Sequence, residues 1–344
     1  MQYQGVVEGF YGRSWSWEER SHMLAFLSEQ GFNSYCYAPK NDVYLRKQWW
    51  QSWPKETLRQ LQKISDQSQQ CGLSFGLGFS PYGLFDEWSR DSRVLLKKRL
   101  AQIQAVTPGL FAILFDDMQV SQPGLAQTQA EITDFIANVL DAPHFAVCPS
   151  YYSFDPILPE LFGAMPENYW QQLGEAIDPA VDIFWTGEKV ITKQYDTAAL
   201  DTISGLLQRK PLIWDNSIAN DGRKTSPYLH LQAMYDGEAL LAHSAGVLVN
   251  PMNQAALSEL VLRTLFLKGS AAERLAAAID EQAAELKPAL LRYQQLMCEI
   301  GRDAITSDDR QTMQKAFAGH LSPVARNIVQ WLDGEFQFDP ACLT

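Results

Sequence analysis

Two adjacent carboxylates, Asp116 and Asp117, follow an apolar run at residues 111–115 and are the side chains of this sequence best suited to chemistry. A run of that kind predicts a strand that is buried on both faces. Two carboxylates at its end would face a cleft, where one must be protonated or both must bind a ligand. An enzyme that uses a general acid and a general base needs such groups.

Two other interpretations of the pair are open at this point. Asp is a favoured N-cap residue, so the pair could simply begin the next helix. Paired carboxylates at strand ends also bind hard cations. No third carboxylate cluster and no His pair at ligand spacing accompanies Asp116 and Asp117, which disfavours a metal site. We predict no cofactor.

The composition is typical of a globular protein with a large core, since 46% of the 344 residues are hydrophobic and 20% are charged. A formal net charge of -12 without a basic stripe argues against nucleic acid as a partner. The five cysteines are widely spaced and form no CxxC pair, which predicts reduced thiols instead of disulfides or a zinc site.

Neither a signal peptide nor a membrane span is predicted. The chain enters an apolar stretch at Val6 and Val7 without a charged segment before it. No apolar run approaches the roughly 18 to 20 residues of a membrane-spanning helix. We therefore expect a cytoplasmic protein with no membrane partner.

Short apolar runs alternate with helical patterns through the first three quarters of the chain, and these elements would position the polar residues. The predicted strands are 5–9, 32–37, 74–79, 111–115, 145–148, 181–185, 211–214 and 245–250. The predicted helices include 17–30, 56–71, 92–106, 125–140, 198–209 and 257–267. Eight such units predict an α/β fold, a (β/α)8 TIM barrel over residues 1–270, because such barrels take about 250 residues. An open doubly wound sheet is the alternative, but no Gly-rich phosphate turn follows the first strand.

The sequence changes character after Gly269. Residues 271–332 are rich in Ala, Leu, Glu and Gln with helical periodicity. We predict that 271–344 form a C-terminal α-helical appendage of two to four helices. The last segment, 335–344, is rich in turn formers and predicts a loosely held tail.

In a barrel, the residues that follow the strands meet at one end. Here they combine aromatic rings, amides, carboxylates and one Lys, a mixture that suits a sugar, because rings pack on its C–H surface and polar groups bind its hydroxyls. Each residue also has a simpler role. A Trp or Tyr can pack the rim, an Asn can satisfy a turn, and Lys40 can be a solvated charge or a Schiff-base nucleophile.

Eight short segments at the strand ends carry a recognisable pattern. They are VEGFYGR at 7–13, YAPK at 37–40, LFDD at 114–117, CP at 148–149, FWTG at 184–187, WDN at 214–216, ND at 220–221 and NPM at 250–252. Taken together, these segments resemble glycoside hydrolase family 84, the O-GlcNAcases and related β-N-acetylglucosaminidases. They occur in the family's order and span about residues 3–255.

The resemblance implies a retaining hydrolysis assisted by the substrate, in which the 2-acetamido carbonyl of a terminal β-linked GlcNAc attacks the anomeric carbon and forms an oxazoline. Asp116 would hold the acetamido N–H, and Asp117 would protonate the leaving oxygen and then deprotonate water. Adjacent residues alternate sides of a strand, so a bend at the strand end must bring both to the cleft.

The same resemblance implies the residues that hold the sugar. Tyr152 would bind the developing oxazoline, Asn216 the acetamido group, and Trp214 would wall the acetyl pocket. Lys40 and Asn250 would bind ring hydroxyls, Asp221 would bind the 4- and 6-hydroxyls, and the main chain at Gly9 would line the sugar site. Cys148 would lie near the acetyl pocket, although a core cysteine would fit equally well.

Four departures from the family concern the leaving-group side. The chain has SYY at 150–152 instead of TEY, GEK at 187–189 instead of GPK, Gly222 where Tyr is frequent, and LQAMY at 231–235 instead of LGPY. The loss of the Glu could loosen how Tyr152 is held. The natural substrate is therefore open: a glycoprotein, a cell-wall fragment or a free glycan that bears β-GlcNAc.

Two other functions compete with the hydrolase. A catalytically silent GlcNAc-binding protein is disfavoured, because binding alone needs no proton donor and both carboxylates are present. A lyase or aldolase would use Lys40 as its nucleophile. The helical region at 271–332 could also form a homodimer, although helices that cover the barrel would show the same pattern.

Overall fold

The computed structural model describes residues 2–119, 124–235 and 237–338, and within them eight parallel strands close into a barrel in chain order. The last strand pairs with the first, with Tyr3 opposite Gly246. The strands are β1 (Tyr3–Glu8), β2 (Ser34–Tyr37), β3 (Ser74–Phe79), β4 (Leu110–Leu114), β5 (His144–Cys148), β6 (Asp182–Trp185), β7 (Leu212–Asp215) and β8 (Gly246–Val249). The predicted (β/α)8 TIM barrel is confirmed, and the strand bounds differ from prediction by at most two residues.

Helices cover the outside of the barrel. They are α1 (Trp17–Glu29), α2 (Lys55–Gln70), α3 (Arg90–Ile103), α4 (Leu125–Val139), α5 (Ile157–Phe162), α6 (Tyr169–Ala176), α7 (Thr197–Leu207), α8 (Gly237–Ala242) and α9 (Ala255–Arg263). Three of them, α5, α6 and α8, are not among the predicted helices. Each has only six or eight residues, too few to show a helical period.

A buried ion pair fixes the end of β1, directly before Gly9. The Arg20 guanidinium of α1 donates two hydrogen bonds to the Glu8 carboxylate, at 2.6 and 2.8 Å, and the Tyr35 hydroxyl donates a third. Both charged side chains are almost fully buried. Removing one partner would leave a buried charge unpaired, which is costly. The pair therefore holds α1 and β2 firmly against β1, the strand that leads into the candidate site.

Four helices follow the barrel within the described residues. They are α10 (Ala271–Gln282), α11 (Lys287–Gln295), α12 (Ser307–Phe317) and α13 (Pro323–Leu332). Their number is the upper end of the predicted two to four. The domain boundary near residue 270 stays a prediction.

Two of these helices, α10 and α13, pack against α9 and form side-chain hydrogen bonds to its buried main chain. The Asn327 amide oxygen accepts from the Ala256 N–H at 3.1 Å, and the Gln282 amide donates to the Ala256 carbonyl at 3.0 Å. The apolar residues Ile328 and Trp331 of α13 are completely buried. The C-terminal helices therefore cover the flank of the barrel.

The beginning of the predicted tail packs on the barrel instead of hanging loosely. Arg13 forms an ion pair with Glu335 and lies 4.9 Å from the centre of the Phe336 ring, which is buried. Phe338 reaches the cavity described below. The rest of the predicted tail, 339–344, lies outside the described residues.

Within the described ranges, no helix combines the length and the apolar character needed to cross a membrane.

A partly buried carboxyl group between α9 and α10 should make stability depend on pH. Burial raises the pKa of Glu259 to about 7 from an ordinary value of 4.5, and the Gln282 amide donates to its carboxylate at 3.3 Å. The folded state therefore binds the proton more tightly than the unfolded state, so stability falls as pH rises from about 4.5 to about 7. Glu259→Gln should be more stable than the wild type above pH 7, by about 1 to 3 kcal/mol.

Urea unfolding at about pH 5 and about pH 8 measures this difference. Glu175→Gln is the matched control, because Glu175 is exposed on α6 and its replacement should leave the pH dependence unchanged. Equal pH dependence in the wild type and Glu259→Gln would contradict the assignment.

Candidate active site

A cavity of about 950 Å³ opens at the C-terminal ends of the strands. All nine residues predicted to form the site line this cavity. They are Gly9, Lys40, Asp116, Asp117, Tyr152, Trp214, Asn216, Asp221 and Asn250. Side chains far apart in the sequence thus share one cleft, as expected for the carboxyl end of a barrel.

Asp116 is buried beside Lys40, and the two form an ion pair. The Lys40 ammonium lies 2.5 Å from Oδ2 of Asp116, and it lies 5.8 Å from the centre of the Trp214 ring. The other carboxylate oxygen, Oδ1, is buried and accepts no hydrogen bond. An unpaired buried acceptor of this kind costs about 1 to 3 kcal/mol, so Oδ1 is suited to a donor that a ligand supplies.

Asp117 adopts a left-handed backbone conformation, with φ of +53°. Such a conformation is uncommon outside glycine and turns the chain sharply at the end of β4. This is the bend that the sequence requires for two adjacent carboxylates to face one cleft. The Arg46 guanidinium donates to the Asp117 carbonyl at 3.0 Å and helps to hold the turn.

The Asp117 carboxylate accepts one hydrogen bond from each of two phenols. The Tyr11 hydroxyl lies 2.8 Å from Oδ2, and the Tyr152 hydroxyl lies 2.8 Å from Oδ1. Tyr152 was expected to bind an oxazoline, and here its hydroxyl points to Asp117. Burial, together with the charge of Asp117, raises the pKa of both phenols well above the ordinary value, so both are donors at neutral pH.

The interpretation of the pair as a helix cap is wrong. The next helix, α4, begins at Leu125 with Gly124 as its N-cap residue, so neither carboxylate caps it. Among the described residues, no group of three or more His, Cys, Asp or Glu side chains is arranged to hold a metal ion.

Ser150, which stands at the position of the Thr in the family's TEY, supports the end of β4. The Ser150 hydroxyl donates to the Phe115 carbonyl at 3.0 Å and accepts from the Gln129 amide at 2.8 Å. The Tyr169 hydroxyl donates to the Gln129 amide oxygen, which fixes that side chain. The main chain just before Asp116 is therefore held by buried polar partners.

Amide side chains connect the ends of β1, β7 and β8. Asn250 accepts from the Gly9 N–H at 3.2 Å and donates to the Asn216 amide oxygen at 2.9 Å. The same oxygen accepts from the Trp214 indole at 3.0 Å, and the Asn216 amide donates to the Val190 carbonyl at 2.9 Å. This network fixes the orientation of the indole that lines the cavity.

Gly9 allows that indole to pack against the main chain of the site. A Cβ atom at Gly9 would lie 2.1 Å from Cζ2 of Trp214, far inside the contact distance. Gly9→Ala should therefore displace the ring and lower kcat/KM for a β-GlcNAc substrate by about 10²-fold, since a shift of about 1 Å near the reacting groups can cost that much.

The control for this change is Gly205→Ala on α7, where the added methyl group meets no atom within 4 Å. That variant should keep full activity. If Gly9→Ala folds with an unchanged melting temperature and retains normal kcat/KM, the close packing of Gly9 and Trp214 does not matter to the site.

Asp221 lies at the edge of the cavity and is anchored to the Gly9 segment. Its Oδ2 accepts from the Tyr11 N–H at 2.8 Å. Burial raises the pKa of Asp221, and this hydrogen bond opposes the increase. Cys148 also lines the cavity, and burial raises the pKa of its thiol well above the ordinary value, so it stays protonated at neutral pH.

A buried carboxylate behind the cavity supports the turn after β7. Asp215 accepts from the hydroxyls of Tyr195, Tyr235 and Ser217 at 3.2, 2.9 and 3.0 Å, and from the Ser217 N–H at 2.8 Å. Burial raises the pKa of Asp215, which these donors oppose. The carboxylate holds the residues on either side of it, Trp214 and Asn216, at the cavity.

The sequence did not identify two residues that contact Asp117. Tyr11 lies inside the VEGFYGR segment, so the resemblance to the family is the sequence feature that marks it. Arg46 lies in an irregular loop between β2 and α2, and no local pattern marks it. Its position near Asp117 depends on how that loop folds over the end of the barrel.

A (β/α)8 barrel with paired carboxylates, amides and an indole in one cavity is typical of the glycoside hydrolases. The chain belongs to the family described as beta-N-acetylglucosaminidase, which it matches over residues 4–292.

Two relatives agree with this assignment, and a solved structure agrees with the fold. The chain is 31% identical over 273 residues to the Protein O-GlcNAcase of Rattus norvegicus and to that of Mus musculus, a match that covers 76% of this chain. It spans only 29% of the length of each of these relatives. An O-GlcNAc hydrolase mutant of Thermobaculum terrenum has the same fold, with a TM-score of 0.81 at 24% identity over 97% of this chain and 81% of that one.

Proposed function

We propose that this protein is a retaining exo-β-N-acetylglucosaminidase that removes terminal β-linked GlcNAc with the help of the substrate's own acetamido group. The observation that carries the proposal is the pair at the end of β4. Asp116 presents a buried oxygen without a hydrogen-bond donor, and the adjacent Asp117 presents a carboxylate held by two phenols. The Asp116 oxygen can accept a hydrogen bond from an acetamido N–H, and the Asp117 carboxyl group can transfer a proton.

In the first step, the acetamido oxygen attacks the anomeric carbon while Asp117 gives its proton to the leaving oxygen. Asp116, which forms an ion pair with Lys40, accepts a hydrogen bond from the acetamido N–H and stabilises the positive charge that develops in the oxazoline. In the second step, water attacks the anomeric carbon, Asp117 takes its proton and the acetamide is restored.

The other cavity residues would position the sugar. Trp214, fixed by Asn216, would wall the acetyl group, and the Tyr152 hydroxyl would move from Asp117 to the acetamido oxygen. Asn250 and Asp221 lie at the ends of other strands, where amide and carboxylate groups can bind ring hydroxyls. Lys40 is committed to an ion pair, which argues against a Schiff base, since that reaction needs a neutral amine.

The substrate would be a glycan or glycoprotein that bears β-GlcNAc, with O-GlcNAc on Ser or Thr as the favoured case, because the relatives are named for it. We also propose a cytoplasmic location and a homodimer. Sedimentation that shows only a 38.8 kDa species at micromolar concentration would contradict the dimer.

An assay with aryl β-GlcNAc and the matching aryl β-glucoside tests the proposed reaction. The first should be hydrolysed with retention at the anomeric carbon, as followed by NMR, and the second should be inert because it has no acetamide. Binding of GlcNAc without any hydrolysis would instead identify a silent binding protein. Release of the inverted anomer would exclude the substrate-assisted route.

A further inference from the structure

The cavity extends beyond the residues proposed to hold the sugar, and its outer part has a distinct chemistry. One portion is apolar and comes from α5 and the loop after β6, with Ile157, Leu161 and Ile191 each more than a third exposed. Another portion is basic and comes from the loop after β7, where Arg223 and Lys224 are exposed at the cavity. This outer part is where a leaving group would lie.

Within the described part of the chain, Arg223 and Lys224 have no ion-pair partner. Among the residues described, no carboxylate forms an ion pair with Arg223 or Lys224, and the Arg223 guanidinium lies 5.8 Å from the centre of the Phe338 ring. The remaining basic side chain at the mouth, Lys189, lies 3.7 Å from the carboxylate of Asp155. Among the described residues of the outer part of the cavity, basic side chains therefore outnumber carboxylates, in a protein whose formal net charge is -12.

A tight turn holds the cations next to the proposed sugar site. The Gly222 N–H donates to the Thr225 hydroxyl at 2.9 Å, and the Gly222 carbonyl accepts from the N–H groups of Thr225 and Ser226. Asp221 lies directly before this turn and is tied to Tyr11. A Cβ atom at Gly222 would already lie 3.1 Å from the Thr225 hydroxyl oxygen, so glycine suits this turn. The cations are thus one and two residues past Gly222.

We infer that the leaving group is an acidic peptide, in which Asp or Glu residues flank the glycosylated Ser or Thr. Carboxylates of the peptide would pair with Arg223 and Lys224, which have no such partner among the residues that the structure describes. Apolar side chains of the same peptide would pack on Ile157 and Leu161. The apolar portion favours a peptide over a cell-wall fragment. This inference rests on the proposed glycosidase function.

Matched glycopeptides test the inference. Two peptides of one sequence, each with GlcNAc on Ser, carry either Glu or Gln at the flanking positions, and the ratio of their kcat/KM values measures the preference for charge. We expect the Glu peptide to be favoured by about 5-fold at low salt, the effect of one exposed ion pair near the upper end of the usual range. The ratio of the two kcat/KM values should approach one at about 1 M salt, where the Debye length is about 3 Å.

Arg223→Gln combined with Lys224→Gln should remove most of the preference. Lys97→Gln combined with Lys98→Gln is the matched control, because these exposed lysines of α3 carry the same charge but do not line the cavity. That control should keep both the preference and the activity. Circular dichroism and melting temperatures establish that each variant is folded.

The possible outcomes separate this inference from the proposed function. No hydrolysis of aryl β-GlcNAc by the wild type would reject the glycosidase itself. Hydrolysis without a charge preference, or a preference that survives in the Arg223 and Lys224 double variant, would overturn the acidic peptide alone. A muropeptide with the same carboxylates that is cleaved faster than the Glu peptide would assign the cations to a cell-wall substrate and would also overturn it.

Discussion

Replacing Asp117 with Asn should lower kcat/KM for a GlcNAc-peptide by about 10² to 10⁴-fold, because the variant has no proton to give to the serine oxygen. An aryl substrate with an acidic phenol needs little protonation as its bond breaks. Its glycosylation step should therefore slow much less in the same variant. Parallel assays of the two substrates measure the difference.

Asp66→Asn is the matched control for this experiment. Asp66 is exposed on α2, outside the cavity lining, so the same change of carboxylate to amide should leave both reactions unchanged. Equal losses on the peptide and the aryl substrate in Asp117→Asn would refute the general acid role. The two phenols that hold Asp117 would then serve a structural purpose.

Asp116→Asn should have a comparably large effect, of about 10²-fold or more, through electrostatic stabilisation instead of proton transfer. The amide keeps the shape of the side chain but removes the charge that faces the acetamido N–H, and it also leaves Lys40 without its ion-pair partner. A thiazoline that mimics the cyclised intermediate should bind the wild type far more tightly than GlcNAc does. The difference in affinity between the thiazoline and GlcNAc should decrease in Asp116→Asn. The reason is that the cyclised intermediate carries a positive charge, which the Asp116 carboxylate balances and an amide does not.

Fluorination of the N-acetyl methyl group tests the same step from the substrate side. Each added fluorine makes the acetamido oxygen a weaker nucleophile, so kcat/KM should decrease steeply along the series while the leaving group stays the same. A flat response would contradict attack by the acetamide. So would a glycosyl ester trapped on an Asp or Glu, which would indicate a two-carboxylate mechanism.

The dominant features of the fold are local properties of the sequence. Buried parallel strands such as β4 are continuous apolar runs, and the helices between them show a helical period, so the order of elements leads directly to the barrel. The nine site residues follow the strands, and barrel geometry requires such residues to meet at one end. The short helix α5, which lines the mouth of the cavity, leaves no periodic signal and was not predicted.

The partners of the site residues depend on contacts between distant parts of the chain. Lys40 and Asp116 are 76 residues apart, and Tyr11 and Asp117 are 106 residues apart, yet each pair forms a hydrogen bond. Sequence patterns indicate which residues reach the cavity, because that depends on strand ends. They do not indicate which donor meets which acceptor, because the direction of each side chain is set by the closed barrel and by the turn at Asp117. For the same reason the packing of Gly9 on Trp214, and of Phe338 at the cavity, emerges only when the folded chain brings these segments into contact.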